Sequence, residues 1–152
     1  MQAKVTIKIK QKSLLIKPKW IKSLVLKVLS SEGSKLNGPV RNTDKTRVST
    51  IVSNGVNFLF VNDKGIREFN LKYLGRDCPT DVIAFDTGDI VISSDAAVRN
   101  ARTFKTSPVH ELYLYVIHGL LHLLGYNDTN KKDRKVMHKR EEELCPSIKL
   151  KP

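Results

Sequence analysis

Apolar and polar residues alternate at the start of the chain, with Val5, Ile7 and Ile9 set against Lys4, Thr6 and Lys8. A period of two puts one side of a strand on a core and the other in water, so residues 3–9 are expected to form a half-buried strand. The period then lengthens. Beyond Pro18, which suits a first helical turn, Trp20, Ile21, Leu24, Val25, Val28 and Leu29 recur at helical spacing, and Gly33 is placed to stop the helix. Residues 34–46 are polar, contain Gly38-Pro39 and Asp44-Lys45, and read as a mobile loop. Residues 47–52 and 57–61 read as two strands joined by Ser53-Asn54-Gly55, and the Asn-Gly pair predicts an antiparallel hairpin. Asp63 is placed to cap a helix over 64–74 that Gly75 ends. After Pro79, residues 81–86 and 89–92 read as further strands broken by Thr87-Gly88. Ser94 or Asp95 starts a helix to about Lys105, and Ser107-Pro108 opens another to about Leu124, stopped by Gly125. Residues 130–144 form a charged last helix with Val136, Met137, Arg140 and Leu144 on one side, and the basic tail 146–152 is expected to fray.

No repeat or linker interrupts this order. It predicts an α+β fold, a small mixed sheet with helices packed on it, in a single domain over residues 1–152. With 152 residues and 40% hydrophobic content, one core can form without a disulfide or a structural metal, so a metal here would serve chemistry. A formal net charge of +12 makes nucleic acid the leading partner, against the plainer reading of a lysine-rich surface. Cys78 and Cys145 have no metal-type spacing and suggest no disulfide framework, which fits a reducing compartment. The N-terminal pattern is that of a strand rather than a signal peptide, and no window is apolar enough to span a membrane. A soluble cytoplasmic protein is the expectation.

The chemistry concentrates in residues 116–128, V-I-H-G-L-L-H-L-L-G-Y-N-D. His118 and His122 stand four apart in a helix, one turn above the other on one face. Gly125 lets the chain double back, and Asp128 is the acid within reach. Two imidazoles and a carboxylate suit one Zn2+ ion and leave a fourth position for water, whose pKa such an ion lowers. A pair of core histidines and a turn aspartate is the plainer alternative. The residue after the first histidine is Gly119, where a zinc protease of the H-E-x-x-H type carries its base. Glycine there also allows a close approach by a neighbour.

The same segment resembles the YbeY family motif H-G-x-L-H-L-x-G-Y-D-H, matching at His118, Gly119, Leu121, His122, Leu123, Gly125 and Tyr126. Upstream, N-L-K-Y-L-G-R-D-C-P-T-D-V-I-A-F over residues 70–85 looks like the family's N-x-x-Y-R-x-x-D-x-P-T-D-V-L-S-F, and Gly88-Asp89-Ile90 looks like its G-D-I. Met137 and the acids 141–143 look like its final helix, so the likeness spans residues 57–145. It implies a metal-dependent endoribonuclease acting on single-stranded RNA in small-subunit rRNA maturation and ribosome quality control. The implied partners are an rRNA precursor, the small ribosomal subunit and a ribosome-assembly GTPase. Two departures stand out. Asp128 occupies the place of the family's third histidine, with Asn127 before it, and Leu74 that of its arginine. Arg76 is the expected catalytic replacement, a guanidinium for the phosphate. Thr80-Asp81 reads as the start of a strand. Asp89 is either a turn residue or a partner that orients a ligand histidine. Tyr126 is expected to pack, and His110 and His138 fall outside the site. No general acid can be assigned. A non-catalytic ribosome-assembly RNA-binding protein and another metallohydrolase remain the alternatives.

Overall fold

A computed structural model describes residues 3–34 and 45–145, so most of the loop expected at 34–46 and the basic tail lie outside the described residues. Its elements are β1 (Val5–Lys10), α1 (Pro18–Ser34), α2 (Lys45–Asn54), β2 (Val56–Val61), α3 (Asp63–Leu74), β3 (Val82–Ala84), β4 (Asp89–Ser93), α4 (Ser94–Phe104), α5 (Pro108–Leu123) and α6 (Lys131–Leu144). The strands form a four-stranded sheet in the order β1-β2-β4-β3. β1, β2 and β4 run parallel, and β3 pairs antiparallel with β4. The expected α+β class with a small mixed sheet is what is found.

One predicted element is of the wrong type. Residues 47–52 are not a strand but the body of α2, so the hairpin with 57–61 does not exist, and β2 lies parallel between β1 and β4. Val48 and Ile51 turn toward the core at helical spacing. The Asn54-Gly55 signal is a helix stop: Gly55 takes a left-handed φ of 82°, and its amide donates to the Ile51 carbonyl at 2.8 Å. A Cβ on Gly55 would lie 2.7 Å from the Lys4 carbonyl oxygen, the atom that accepts the Val56 amide. Glycine is therefore required where the helix runs into the sheet.

The alternation within β2 and β4 divides the core in two. Phe58, Phe60, Ile90 and Ile92 face α1 and α5, while Val61 and Val91 face α3 with Ile66 and Ile83. Ile21, Leu24, Val25, Val28 and Leu29 are buried from α1 as expected, whereas Trp20 is 45% exposed, with the Lys17 ammonium over its ring. Gly33 lies within α1 rather than beyond it. On α6 the packed side is Met137, Arg140 and Leu144, and Val136 is exposed. α3 starts one residue earlier than read, at Asp63, while α4 starts at Ser94 as expected. Asn62 caps α3, and Ser93 caps α4, each accepting from the amide three residues on.

Gly119 explains how α5 lies so close on the sheet. A Cβ there would meet Ile90 Cγ2 at 2.8 Å and Ile90 Cδ1 at 3.2 Å. Gly119→Ala is expected to destabilise the fold by about 1–3 kcal/mol through overpacking. In a thermal melt, the Gly119→Ala, Ile90→Ala pair should lose less than the sum of the two single changes.

Candidate metal centre

The site is assembled by the C-terminal end of α5, the turn that follows and the face of α6 that meets them. α5 is apolar nearly all round and mostly buried, so its histidines emerge only along the edge that α6 approaches. Its end is a Schellman motif: the Gly125 amide donates to the His122 carbonyl and the Tyr126 amide to the Leu121 carbonyl, with Gly125 at a φ of 102°. That reversal drops Tyr126 into the core and returns Asp128 toward the helix. Asn127 Oδ1 accepts the Thr129 amide at 3.2 Å, and Asn130 then caps α6 by a reciprocal pair of bonds with Asp133.

The three expected ligands come together. His118 Nε2 and His122 Nε2 are 3.0 Å apart, His122 Nε2 lies 3.3 Å from Asp128 Oδ2, and His118 Nε2 lies 3.6 Å from the same oxygen. Donor atoms on a tetrahedral zinc ion at ordinary bond lengths sit about 3.3 Å apart. The three edges bracket that value, and the imidazole planes stand at 83° to each other, so the residues fit one small divalent ion with a position left open. All three side chains are partly exposed, which gives that position a route to solvent.

Glu141 supplies what the sequence did not reveal. Its Oε1 accepts a hydrogen bond from His118 Nδ1 across the α5–α6 contact. Placing the ring proton on Nδ1 leaves the Nε2 lone pair turned toward His122 and Asp128, the arrangement a metal-binding imidazole needs. Burial disfavours the charged ring, but the hydrogen bond and charge of Glu141, with Asp128 and Asp81, outweigh it and raise the His118 pKa in the metal-free protein. The sign follows. The second ring proton, on Nε2, stabilises the metal-free fold fully below the ordinary histidine value of about 6.5, and the gain is lost as pH rises through the raised value. Metal uptake must displace it, so apparent affinity tightens over the same rise. Glu141→Gln is expected to weaken zinc binding by roughly 10–100-fold, read by competition with a chromophoric chelator.

Asp89, considered as a partner for a ligand histidine, is instead a turn residue. Its carboxylate accepts from Asn57 Nδ2 at 2.9 Å and from Thr87 Oγ1 at 2.6 Å. Asp81 starts β3 by accepting the Val82 amide at 2.8 Å. Arg76 is exposed after Gly75, its amide held by the Asn70 carbonyl at 3.2 Å, and none of the side-chain contacts among the described residues joins its guanidinium to the triad. Arg134, which the sequence reading did not single out, and His138, which it placed outside the site, both reach the centre: they line a pocket of about 270 Å³ with His118, Asp128, Met137 and Glu141. The Cys78 thiol is exposed, and the buried Cys145 Sγ lies 3.7 Å from His110 Nδ1.

A buried polar cluster supports this end of the molecule. Glu32 of α1 accepts from Tyr126 Oη at 2.7 Å and from Arg140 Nε. Arg140 also donates to Ser31 Oγ at 2.7 Å and to Glu143 at 2.9 Å. Tyr126 therefore packs, as expected, and its hydroxyl ties the turn carrying Asp128 to α1 and α6. Among the described residues, no helix is long and apolar enough to cross a membrane.

Residues 6–149 match the family model described as Endoribonuclease YbeY. A curated relative from Syntrophus aciditrophicus named Endoribonuclease YbeY is 42% identical over 104 residues, covering 59% of this chain and 65% of the relative. One of the same name from Christiangramia forsetii is 37% identical, covering 58% and 66%, so the chain spans just under two thirds of the length of these relatives. A third, from Flavobacterium psychrophilum, is 33% identical over 82% of this chain and 79% of its own length. The solution structure of a Thermotoga maritima protein shares the fold, with a TM-score of 0.65 at 24% identity over 95% of this chain and 89% of that one. The family model over residues 6–149 and these relatives agree with the motif of α5: the chain belongs to the Endoribonuclease YbeY family.

Proposed function

We propose that the protein is a metal-dependent endoribonuclease that cuts single-stranded RNA, with one Zn2+ held by His118, His122 and Asp128. The observation that carries this reading is the convergence of those three donors at zinc-like spacings in a chain of the Endoribonuclease YbeY family. When bound, the ion supplies Lewis acidity and brings the pKa of a water molecule toward neutrality. The protein's own groups do the rest. His118 and His122 present Nε2 lone pairs, Glu141 holds the His118 proton on Nδ1, and Asp128 completes the set. As an anion, Asp128 lowers the charge of the centre by one unit relative to a histidine. Arg76 contacts the strand through its guanidinium in place of the one Leu74 lacks, and the +12 charge draws RNA by its phosphates. Gly119 faces the sheet, so the H-E-x-x-H route of peptide hydrolysis has no base here.

The expected setting is maturation of small-subunit rRNA and ribosome quality control in the cytoplasm, with the small ribosomal subunit and an assembly GTPase as partners. The test is cleavage of a labelled single-stranded oligoribonucleotide by zinc-loaded protein, with the same sequence as a duplex and with a chelator as controls. Cutting of the single strand alone, abolished by chelator, supports the reading. Binding without cutting favours the non-catalytic RNA-binding alternative, to which the Leu74 position already leans.

A further inference from the structure

On α6, Arg134, Met137, His138 and Glu141 stand at i, i+3, i+4 and i+7, and together they form the wall of the pocket that holds His118 and Asp128. Three of the four are committed: Met137 is buried, Glu141 accepts the hydrogen bond of His118 Nδ1, and His138 Nε2 stands 3.1 Å from a Glu142 carboxylate oxygen. Arg134 is exposed at the near end of the helix, its Nη1 3.4 Å from the Asp128 carbonyl oxygen. Arg67, Arg99 and Arg140 are each locked to a carboxylate, by Asp77, Asp63 and Glu32. Arg134 pairs with no carboxylate among the described residues, so its remaining donors face the pocket uncommitted.

The charges give that position a purpose. A divalent ion among two neutral imidazoles and one carboxylate keeps a single positive unit, and Glu141 beside His118 cancels it. A phosphodiester is itself an anion, so this centre alone gives it no net attraction. Resting on the nuclease reading above, we propose that Arg134 is the phosphate-binding residue of the site. Its guanidinium takes the non-bridging oxygens of the reacting phosphodiester and supplies the positive charge that Asp128, standing in the third ligand position, removes. Arg76, on its exposed segment, then serves the strand away from the reacting phosphate.

The experiment compares wild type with Arg134→Ala, Arg134→Lys and Arg76→Ala. Three readouts are taken: zinc content, cleavage kinetics on a single-stranded oligoribonucleotide, and the salt dependence of binding of that strand to chelator-treated, metal-free protein. Arg134→Ala is expected to lower kcat/KM by roughly 10²-fold with zinc content unchanged. Lysine should restore less than a tenth of the loss, because an ammonium cannot present the paired donors. The slope of log affinity against log salt should fall by about 0.7, one phosphate contact on a single strand. A cleaving wild type whose Arg134→Ala variant cuts and binds with the same slope overturns the assignment and leaves the nuclease reading standing. Loss of zinc in Arg134→Ala also overturns it, since the residue would then support the Asp128 turn. A wild type that neither binds nor cuts RNA removes the nuclease reading and this assignment together.

Discussion

Replacing Glu32 by alanine lowers stability by about 3–5 kcal/mol, read as the shift of the urea midpoint multiplied by the slope. Glu32 is fully buried and is the common acceptor of Arg140 and Tyr126. Removing it leaves a guanidinium with little access to water and without its main counter-charge. It also leaves a buried phenol hydroxyl without this partner, and both costs fall on one substitution. The pair as such need not be a large net stabiliser, because taking two charges out of water offsets much of their attraction. A Glu32→Leu, Arg140→Leu protein should therefore be more stable than either single variant. The cluster sits where α1, the Tyr126 turn and α6 meet, so the single variants should also loosen zinc binding by moving Asp128 and Glu141.

His122→Ala is expected to abolish zinc retention and to reduce RNA cleavage by roughly 10³-fold or more in kcat/KM, about 4 kcal/mol of transition-state stabilisation. Two ligands remain, one of them the exposed end of a turn, and a two-donor set holds zinc poorly. The fold should survive. His122 is only half-buried, and its ring nitrogen faces His118 and Asp128, not a core group. A far-ultraviolet spectrum and urea midpoint close to wild type, beside lost zinc and lost cleavage, separate a role in the site from one in folding.

What the sequence made legible was local. The pair His118 and His122 could be read because both lie on one helix, where a four-residue spacing fixes the face. Asp128 could be read because Gly125 announces a reversal within a few residues. Glu141 and Arg134 could not, since their approach to His118 and Asp128 depends on how α6 packs on α5. The acidic run at 141–143 was visible, but not which acid faces a histidine; Glu141 follows the buried Met137 by one helical turn, and that is the signal that would have found it. The misread α2 has a different cause. Residues 47–52 are rich in β-branched side chains, and propensity and a turn dipeptide both favoured a strand there. Burial of Val48 and Ile51 at helical spacing, and the close approach of Gly55 to the Lys4 carbonyl, decided for the helix. Trp20 and Val136 were assigned to buried faces by spacing alone, yet each lies at the margin of its helix stripe and stays in contact with water.

The most direct test of the central claim is the metal content of the protein purified without chelator and then supplied with zinc, measured by elemental analysis beside Asp128→Ala. About one zinc per wild-type chain, markedly reduced in the variant, is the predicted result and establishes a centre of two histidines and one aspartate. No zinc in the wild type after it has been supplied, or the same amount in Asp128→Ala, contradicts it.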